Sequence, residues 1–329
     1  MKKIVCFLLM LMMSFCCVEA EYYIVMSDDE RVIAAENEHV QRSIASTSKI
    51  MTAILCLEVG DYTDQWVIGD EVSTVDEKRI YLQPGQQVSM RSLLYGLMLE
   101  SGNDAAVALA KRVGGSVEKF VEMMNEKAVE LGMHNTHFSN PHGLDIHDAG
   151  NISTCFDMAL LMKYAIKNEQ FCEIIRTLSY SSEWGSVFHN SNRLLKEFPF
   201  TIGAKTGYTS KAGRTLVSAA KNQDLTLICV TFDIYDHFSF HQIQYTNAFQ
   251  TMKKQVLLDV GEYSYLDWTI HVDEDMSVTC SDEELQDAEI RYWFDEDTMT
   301  FQFKLDDYIV SKSYKMTKKK SFCFMGWCL

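Results

Sequence analysis

The sequence predicts an α+β protein of two units. Three observations carry that reading. Apolar residues recur at helical spacing between residues 48 and 166. Three strand-like runs joined by short turns follow between 202 and 232. Beyond about 255 short strand-like runs alternate with acidic turns.

Tyr22–Met26 and Arg31–Ala35 are apolar runs split by Ser27-Asp28-Asp29-Glu30, the signature of a hairpin. Ser48–Val59 reads as a helix closed by Gly60, and Ser92–Leu99 as a second. Ala105–Val113 is a third, stopped by Gly114-Gly115. Ser116 caps a fourth, with Glu118 in its first turn. In that helix Phe120, Met124, Ala128 and Leu131 lie on one side, and Gly132 ends it. Thr154-x-x-Asp157 predicts a capping box for a helix reaching Ile166. Ile202–Tyr208, Thr215–Ala220 and Leu225–Phe232 predict strands, and Phe240–Met252 a helix returning onto them. Tyr263–Val272, Met276–Cys280, Ile290–Phe294 and Met299–Phe303 predict the strands of a small β domain. The predicted boundaries are a signal segment at 1–20, a main domain at 21–255, a β domain at 256–310 and a tail at 311–329.

The chain has 329 residues, 47% hydrophobic and 23% charged, which is ordinary for a globular protein of this size. Its 46 acidic and 30 basic residues leave a formal charge of −16, which repels a phosphate backbone and excludes nucleic acid as a partner. Lys2 and Lys3 followed by the apolar run Ile4–Val18 and small Ala20 predict a secretory signal, so the chain is expected outside the cytoplasm. The run is shorter than the ~20 residues of a spanning helix. At the other end, Lys315, Lys318, Lys319 and Lys320 precede the apolar, aromatic end Ser321–Leu329, a pattern that suits an anionic membrane surface. The ten cysteines form no Cys-x-x-Cys pair and have no histidine partners at metal-ligand spacing, so neither a zinc site nor any other metal is expected. His134, His137, His142 and His147 cluster in sequence, but are read as structural. Cys56 and Cys155 sit on apolar helix faces and are expected in the core, as are Met123 and Met124.

Three short motifs carry the chemistry. Ser46-Thr47-Ser48-Lys49 opens the first long helix. A serine hydroxyl is a poor nucleophile until a base removes its proton. A lysine three residues on lies one turn away and can be that base if burial and nearby cations keep its amine neutral. Helix N-terminal N–H groups can serve a developing oxyanion. Alone the motif is unspecific, since Ser116/Lys119 and Ser218/Lys221 repeat it. Ser101-Gly102-Asn103 falls at a break between helices, offering a hydroxyl to relay a proton and an amide to grip a peptide bond. Lys205-Thr206-Gly207 lies on the first late strand, with a cation, a hydroxyl and a glycine that admits a substrate backbone. Their order and contexts together mark the penicillin-interacting serine enzymes.

On Ala45–Ile54, Leu93–Lys111, Phe120–Ile146 and Lys205–Lys221 the chain resembles the D-alanyl-D-alanine carboxypeptidases among the low-molecular-weight penicillin-binding proteins, peptidase family S11. The resemblance spans residues 21–255 and is looser beyond. It implies a β-lactamase/transpeptidase-like domain, an antiparallel sheet with flanking helices and a helical subdomain. It implies Ser46 as nucleophile, Lys49 as general base and Ser101 as the residue passing a proton to the leaving D-alanine. Asn103, Lys205, Thr206, Gly207 and Tyr208 are then substrate-binding, with the oxyanion held by the N–H groups of Ser46 and Tyr208. No cofactor is required. The substrate would be a peptidoglycan stem peptide ending in D-Ala-D-Ala, and β-lactams would trap Ser46.

Two departures from the family pattern stand out. Where relatives carry an Asp-Arg pair whose arginine helps bind the terminal carboxylate, this chain reads Asp236-His237. The carboxylate would then fall to Thr206 with another cation such as Arg214, or to a protonated His237. The Glu77–Gln87 stretch also lacks the usual glycine and serine run. The same motifs would serve a DD-endopeptidase, a serine β-lactamase or a non-catalytic peptidoglycan-binding protein on a decayed scaffold. The extra C-terminal regions favour the carboxypeptidase over the shorter endopeptidases. Gly143–Asn168 offers no convincing deacylating glutamate for a β-lactamase.

Overall fold

The computed structural model describes residues 21–145 and 150–318, with the backbone of 323–324 and 327–328. The expected signal segment, His147 and most of the basic-aromatic end lie outside these residues.

The chain enters as the expected hairpin, β1 (Tyr22–Ser27) and β2 (Val32–Glu36). A two-residue strand β3 (Arg42–Ser43) and a 3-10 turn, Ala45–Ser48, lead into α1 (Lys49–Val59). The first eight residues of α1 are all buried, so it is the central helix of the main unit. After the β4 (Gln65–Val67) and β5 (Gln87–Ser89) pair comes α2 (Met90–Leu99), whose N-terminus Ser89 caps. Helices α3 (Asn103–Gly114) and α4 (Val117–Glu130) follow, and Ser116 caps α4 as expected. The short strand β6 (Ile152–Ser153) pairs with β3 and precedes α5 (Cys155–Ala165). Thr154 caps α5, but only half of the predicted capping box forms. The Asp157 carboxylate instead accepts from the Asn135 N–H and the Thr136 hydroxyl.

The sequence reading missed the next elements, α6 (Glu169–Arg176), the β7 (Ser179–Ser181) and β8 (Val187–His189) hairpin, and the one-turn α7 (Leu194–Glu197). Then come the three expected strands, β9 (Thr201–Thr209), β10 (Gly213–Asn222) and β11 (Leu225–Phe232), and helix α8 (His237–Thr251).

The main sheet is antiparallel in the order β2-β1-β11-β10-β9. Both of its faces are covered. Ile24, Met26, Val217, Ile228 and Val230 face α1 and its neighbours, while Val25, Leu216, Leu227 and Cys229 face α8. Every residue of β11 is buried, which is why its sequence is apolar apart from Thr226 and Thr231. Strand β9 pairs only with β10, which leaves its outer edge without a strand partner among the described residues, while the Ala45–Ser48 turn packs over the Gly207 and Thr215 positions of β9 and β10.

The second unit begins earlier and ends later than predicted. Strand β12 (Lys253–Leu258) pairs with β15 (Met276–Cys280), placing the start at 253. Residues 263–272 form two strands, β13 (Gly261–Tyr265) and β14 (Trp268–Val272), because Leu266 adopts φ 50° and turns the chain. A short helix α9 (Asp282–Asp287) with a full Ser281–Glu284 capping box precedes β16 (Glu289–Asp295) and β17 (Thr298–Leu305). The last long strand, β18 (Tyr308–Lys318), corrects the expectation of a tail from 311: Tyr314 and Met316 alternate inward while the lysines and serines between them face out. The sheet order is β13-β14-β18-β17-β16. The turn of the first hairpin fastens the two units. Asp28 meets Lys254 at 2.8 Å, Asp29 accepts from Tyr308 at 2.8 Å, and Arg31 meets Glu284 at 3.0 Å while lying over the Tyr308 ring.

Candidate active site

Ser46 lies in the 3-10 turn that delivers the chain into α1. The turn is tight, with Ala45 at φ 48°. It is braced by the loop 139–145, where Gly143 (φ +92°) passes so close that a Cβ would overlap the Ala45 carbonyl and lie 2.7 Å from Ser48 Oγ. Two asparagines shape that loop. Asn140 Oδ1 accepts from the N–H groups of His142 (3.2 Å) and Gly143 (2.6 Å). Asn151 Oδ1 accepts from those of Ser139 (2.7 Å) and Asn140 (3.1 Å). The result is a His142 carbonyl aimed at the start of α1, where it accepts from Lys49 Nζ. The His142 ring takes the Leu144 N–H on Nδ1, and burial, with Lys49 nearby, lowers its pKa to about 3. It is therefore a neutral structural ring.

Lys49 is wholly buried, with Nζ 3.0 Å from Ser46 Oγ and 2.8 Å from Asn103 Oδ1. Burial drives its pKa well below the usual lysine value, and the charge of Lys205 adds to the fall. Lys205, 1% exposed on β9, has its own pKa lowered to about 7 by burial and by Lys78. Its Nζ donates to the Thr206 carbonyl at 2.8 Å. Burial, with the charge of Lys205 adding to it, thus pushes Lys49 toward neutrality beside the Ser46 hydroxyl.

Ser101 sits at the break between α2 and α3 with φ 64°, an uncommon conformation for a side-chain-bearing residue. Its Oγ is buried without a hydrogen-bond partner in the described structure. The side chain of Asn103 is spent between Lys49 and the Asp76 carbonyl, to which Nδ2 donates at 3.1 Å, and its N–H meets the Lys78 carbonyl at 2.7 Å. The following residue, Asp104, was not singled out in the sequence. Its buried carboxylate accepts from the N–H groups of Ile80 and Leu82, both at 3.0 Å, and pins the 76–82 segment over the mouth of α3. An acid in a helix's first turn was the available signal. This pinning is how the unusual Glu77–Gln87 stretch becomes one wall of the site and brings Lys78 near the two amines.

The opposite wall is the outer edge of β9. A Cβ on Gly207 would collide with Thr215 Oγ1, stand 2.9 Å from Ser46 N and 3.1 Å from Ala45 Cβ. Strand and nucleophile turn are therefore in backbone contact. Thr206 Oγ1 lies 3.1 Å from Ser191 Oγ, another residue the sequence did not flag. Tyr208 is 67% exposed at the rim. Asp145 ties the end of β9 to β3, accepting from Thr209 Oγ1 (2.7 Å) and Ser43 Oγ (2.8 Å).

The two candidates for a substrate carboxylate differ. His237, at the start of α8, is 7% exposed and its pKa is lowered, by burial first and also by Arg214. A neutral ring gives a carboxylate no cation. Arg214 is exposed on β10 directly opposite Tyr208, and its guanidinium lies 4.7 Å from the centre of the Tyr235 ring.

The spare motifs are accounted for. Ser116 caps α4, and Ser218 is buried against His241 and Tyr245, each at 2.7 Å. Cys56 and Cys155 are fully buried thiols, and Met124 is in the same core, with Met123 packed against it. Among the described residues no group of three metal-ligating side chains comes together.

The sequence model of a family described as D-alanyl-D-alanine carboxypeptidase matches residues 13–235. Among curated relatives, D-alanyl-D-alanine carboxypeptidase DacF of Bacillus subtilis is 34% identical over 218 residues, 64% of this chain and 56% of that protein. D-alanyl-D-alanine carboxypeptidase DacA of Escherichia coli is 34% identical over 230 residues, 64% of this chain and 55% of that protein. The matches thus span little more than half the length of these relatives. Among solved structures, penicillin binding protein 6B from Escherichia coli superposes with a TM-score of 0.74 at 27% identity, over 89% of this chain and 94% of that one.

Proposed function

The chain belongs to the D-alanyl-D-alanine carboxypeptidase family of S11 peptidases, and on that footing we propose that it removes the terminal D-alanine from peptidoglycan stem pentapeptides through an acyl-enzyme on Ser46. The observation that carries this reading is the 3.0 Å approach of the buried Lys49 amine to the Ser46 hydroxyl, next to a second buried amine, Lys205.

The chemistry follows from the geometry. The substrate strand lies along the outer edge of β9, where main-chain pairing is open. Neutral Lys49 takes the Ser46 proton as Oγ attacks the carbonyl of the penultimate D-alanine. The oxyanion is held by the N–H groups of Ser46 and Tyr208. The unpartnered hydroxyl of Ser101 passes a proton to the departing amine, and Asn103 keeps Lys49 aimed through Oδ1, leaving for the peptide only the Nδ2 hydrogen that the Asp76 carbonyl does not take. Lys205 keeps Lys49 uncharged. Arg214 and Thr206 take the terminal carboxylate, because His237 is neutral. Water then hydrolyses the ester. A β-lactam enters the same groove and leaves Ser46 acylated. This substrate places the protein in the cell envelope after export. Among the described residues no helix is long and apolar enough to cross a membrane. Contact with the membrane surface falls to the basic-aromatic end.

Incubation with a D-Ala-D-Ala-ended peptide and with a fluorescent penicillin tests the proposal. Free D-alanine together with a stable label supports it. Rapid loss of the label points to a β-lactamase, and a label without D-alanine release to a decayed scaffold.

A further inference from the structure

The register of β9 and β10 sorts the residues around the groove by face. Lys205 pairs with Val217 and Gly207 with Thr215, and these point toward α1 and the Ala45–Ser48 turn. Thr206 pairs with Leu216 and Tyr208 with Arg214, and these point to the α8 side. Arg214 and Thr206 are therefore diagonal neighbours on one face, at the roughly 7–8 Å that a long side chain spans. Arg214 makes no ion pair among the described residues. What its guanidinium meets is the Tyr235 ring, 4.7 Å from its centre.

Tyr235 stands on the loop 233–236 between β11 and α8, and that loop is fixed from three directions. Gly213 (φ +67°), next to Arg214, passes so close that a Cβ there would collide with the Asp233 carboxylate. The same carboxylate meets Arg42 at 2.9 Å. The His237 ring reaches back, with Nδ1 donating to the Tyr235 carbonyl at 3.3 Å. Yet the Tyr235 ring itself is 81% exposed. Hydrophobic burial does not account for an aromatic ring at this place.

Its contact with Arg214 does. An arginine side chain loses rotamer freedom when it grips an anion. A ring beneath the guanidinium removes part of that loss in advance. It engages the face of the cation and leaves the N–H groups at the edge for the two oxygens of a carboxylate.

We propose that Tyr235 is a positioning residue for the substrate's terminal carboxylate: its ring holds the Arg214 guanidinium, on the face it shares with Thr206, ready for a bidentate pair. His237 then contributes by bracing the loop that carries Tyr235, not by charge. This role rests on the carboxypeptidase reading, with Arg214 as the carboxylate's cation, and deepens it.

Acylation of Ser46 by a penicillin and by its methyl ester tests the proposal, since the two differ in the carboxylate alone. Tyr235→Ala should slow acylation by the free acid about 2- to 5-fold, the scale of an exposed cation–π contact, and leave the rate with the ester unchanged. With the D-Ala-D-Ala-ended peptide the loss should fall on KM and spare kcat. Tyr235→Phe, which keeps the ring and loses the hydroxyl, should hold both at the unaltered values. In an Arg214→Gln chain, Tyr235→Ala should cause no further loss. No slowing, equal slowing of acid and ester, a Tyr235→Phe chain as slow as Tyr235→Ala, or losses that add to those of Arg214→Gln would each overturn the proposal. A chain that takes the penicillin but releases no D-alanine contradicts the carboxypeptidase reading, while the comparison of acid and ester still decides the role of Tyr235.

Discussion

Gly207 and Ser46 are in backbone contact: a Cβ on the glycine would stand 2.9 Å from the serine nitrogen. That nitrogen is one of the two proposed oxyanion donors, so the spacing between strand and turn sets the catalytic geometry. Gly207→Ala must push the turn away. Acylation by penicillin should slow by about 10²-fold, the scale for losing one oxyanion donor, and the crowding against Thr215 and the Ser46 backbone should also lower the melting temperature. Stopped-flow labelling measures it, and an unchanged rate would mean that this N–H is not used.

Lys205 acts on Lys49 through its charge. With Lys205→Met that charge is gone, and the Lys49 pKa should rise. The base is then protonated over a wider range, so the acid limb of the acylation pH profile should move to higher pH. A limb that stays in place would show that burial alone tunes Lys49.

The same burial leaves a mark on stability. Burial lowers the Lys205 pKa from the usual lysine value of 10.5 to about 7 on folding. Between these values the unfolded chain holds a proton that the folded chain has released, so stability rises with pH across about 7 to 10.5. Below pH 7 the cost of the buried ammonium is fully present. Melting temperatures of Lys205→Met should therefore exceed those of the unaltered chain most at low pH, and the gap should narrow as pH rises. A constant gap would contradict this.

Asp104 receives the N–H groups of Ile80 and Leu82 in a buried position. Asp104→Ala strands both donors and should cost about 1–3 kcal/mol, measured by urea unfolding. It should also lower acylation by loosening the 76–82 wall. Full activity in the variant would show that this wall is not part of the site.

Arg214 and His237 are separated by substitution. Arg214→Gln should raise KM for the peptide by about 10- to 100-fold, the loss of one hydrogen bond to a charged group, and leave a C-terminally amidated peptide unaffected. His237→Gln should change KM little at neutral pH, since burial holds the ring below the usual histidine range. The reverse pattern would reassign the carboxylate.

What the sequence displayed and what it hid follow from physics. Helices α1 to α5 and α8 and strands β9–β11 were legible because one or both faces are buried, which imposes a period of 3.6 or a mostly apolar run, whereas α6 and α7 were missed. The three motifs were legible because the proposed chemistry rests on their side chains. The supports of the site were not. Lys49 is aimed by the His142 carbonyl and Asn103 by those of Asp76 and Lys78, and a main-chain carbonyl has no residue signature. Leu266 turns the chain without a glycine or asparagine, so β13 and β14 read as one strand. In β18, Tyr314 and Met316 face inward between lysines, serines and threonine, and that alternation was masked by a basic segment.

The account depends most on which hydroxyl is acylated. Peptide mapping by mass spectrometry after brief exposure to penicillin should find a single adduct, on Ser46, and Ser46→Ala should abolish both the adduct and D-alanine release. An adduct on Ser101 or any other serine, or one that survives Ser46→Ala, would contradict it.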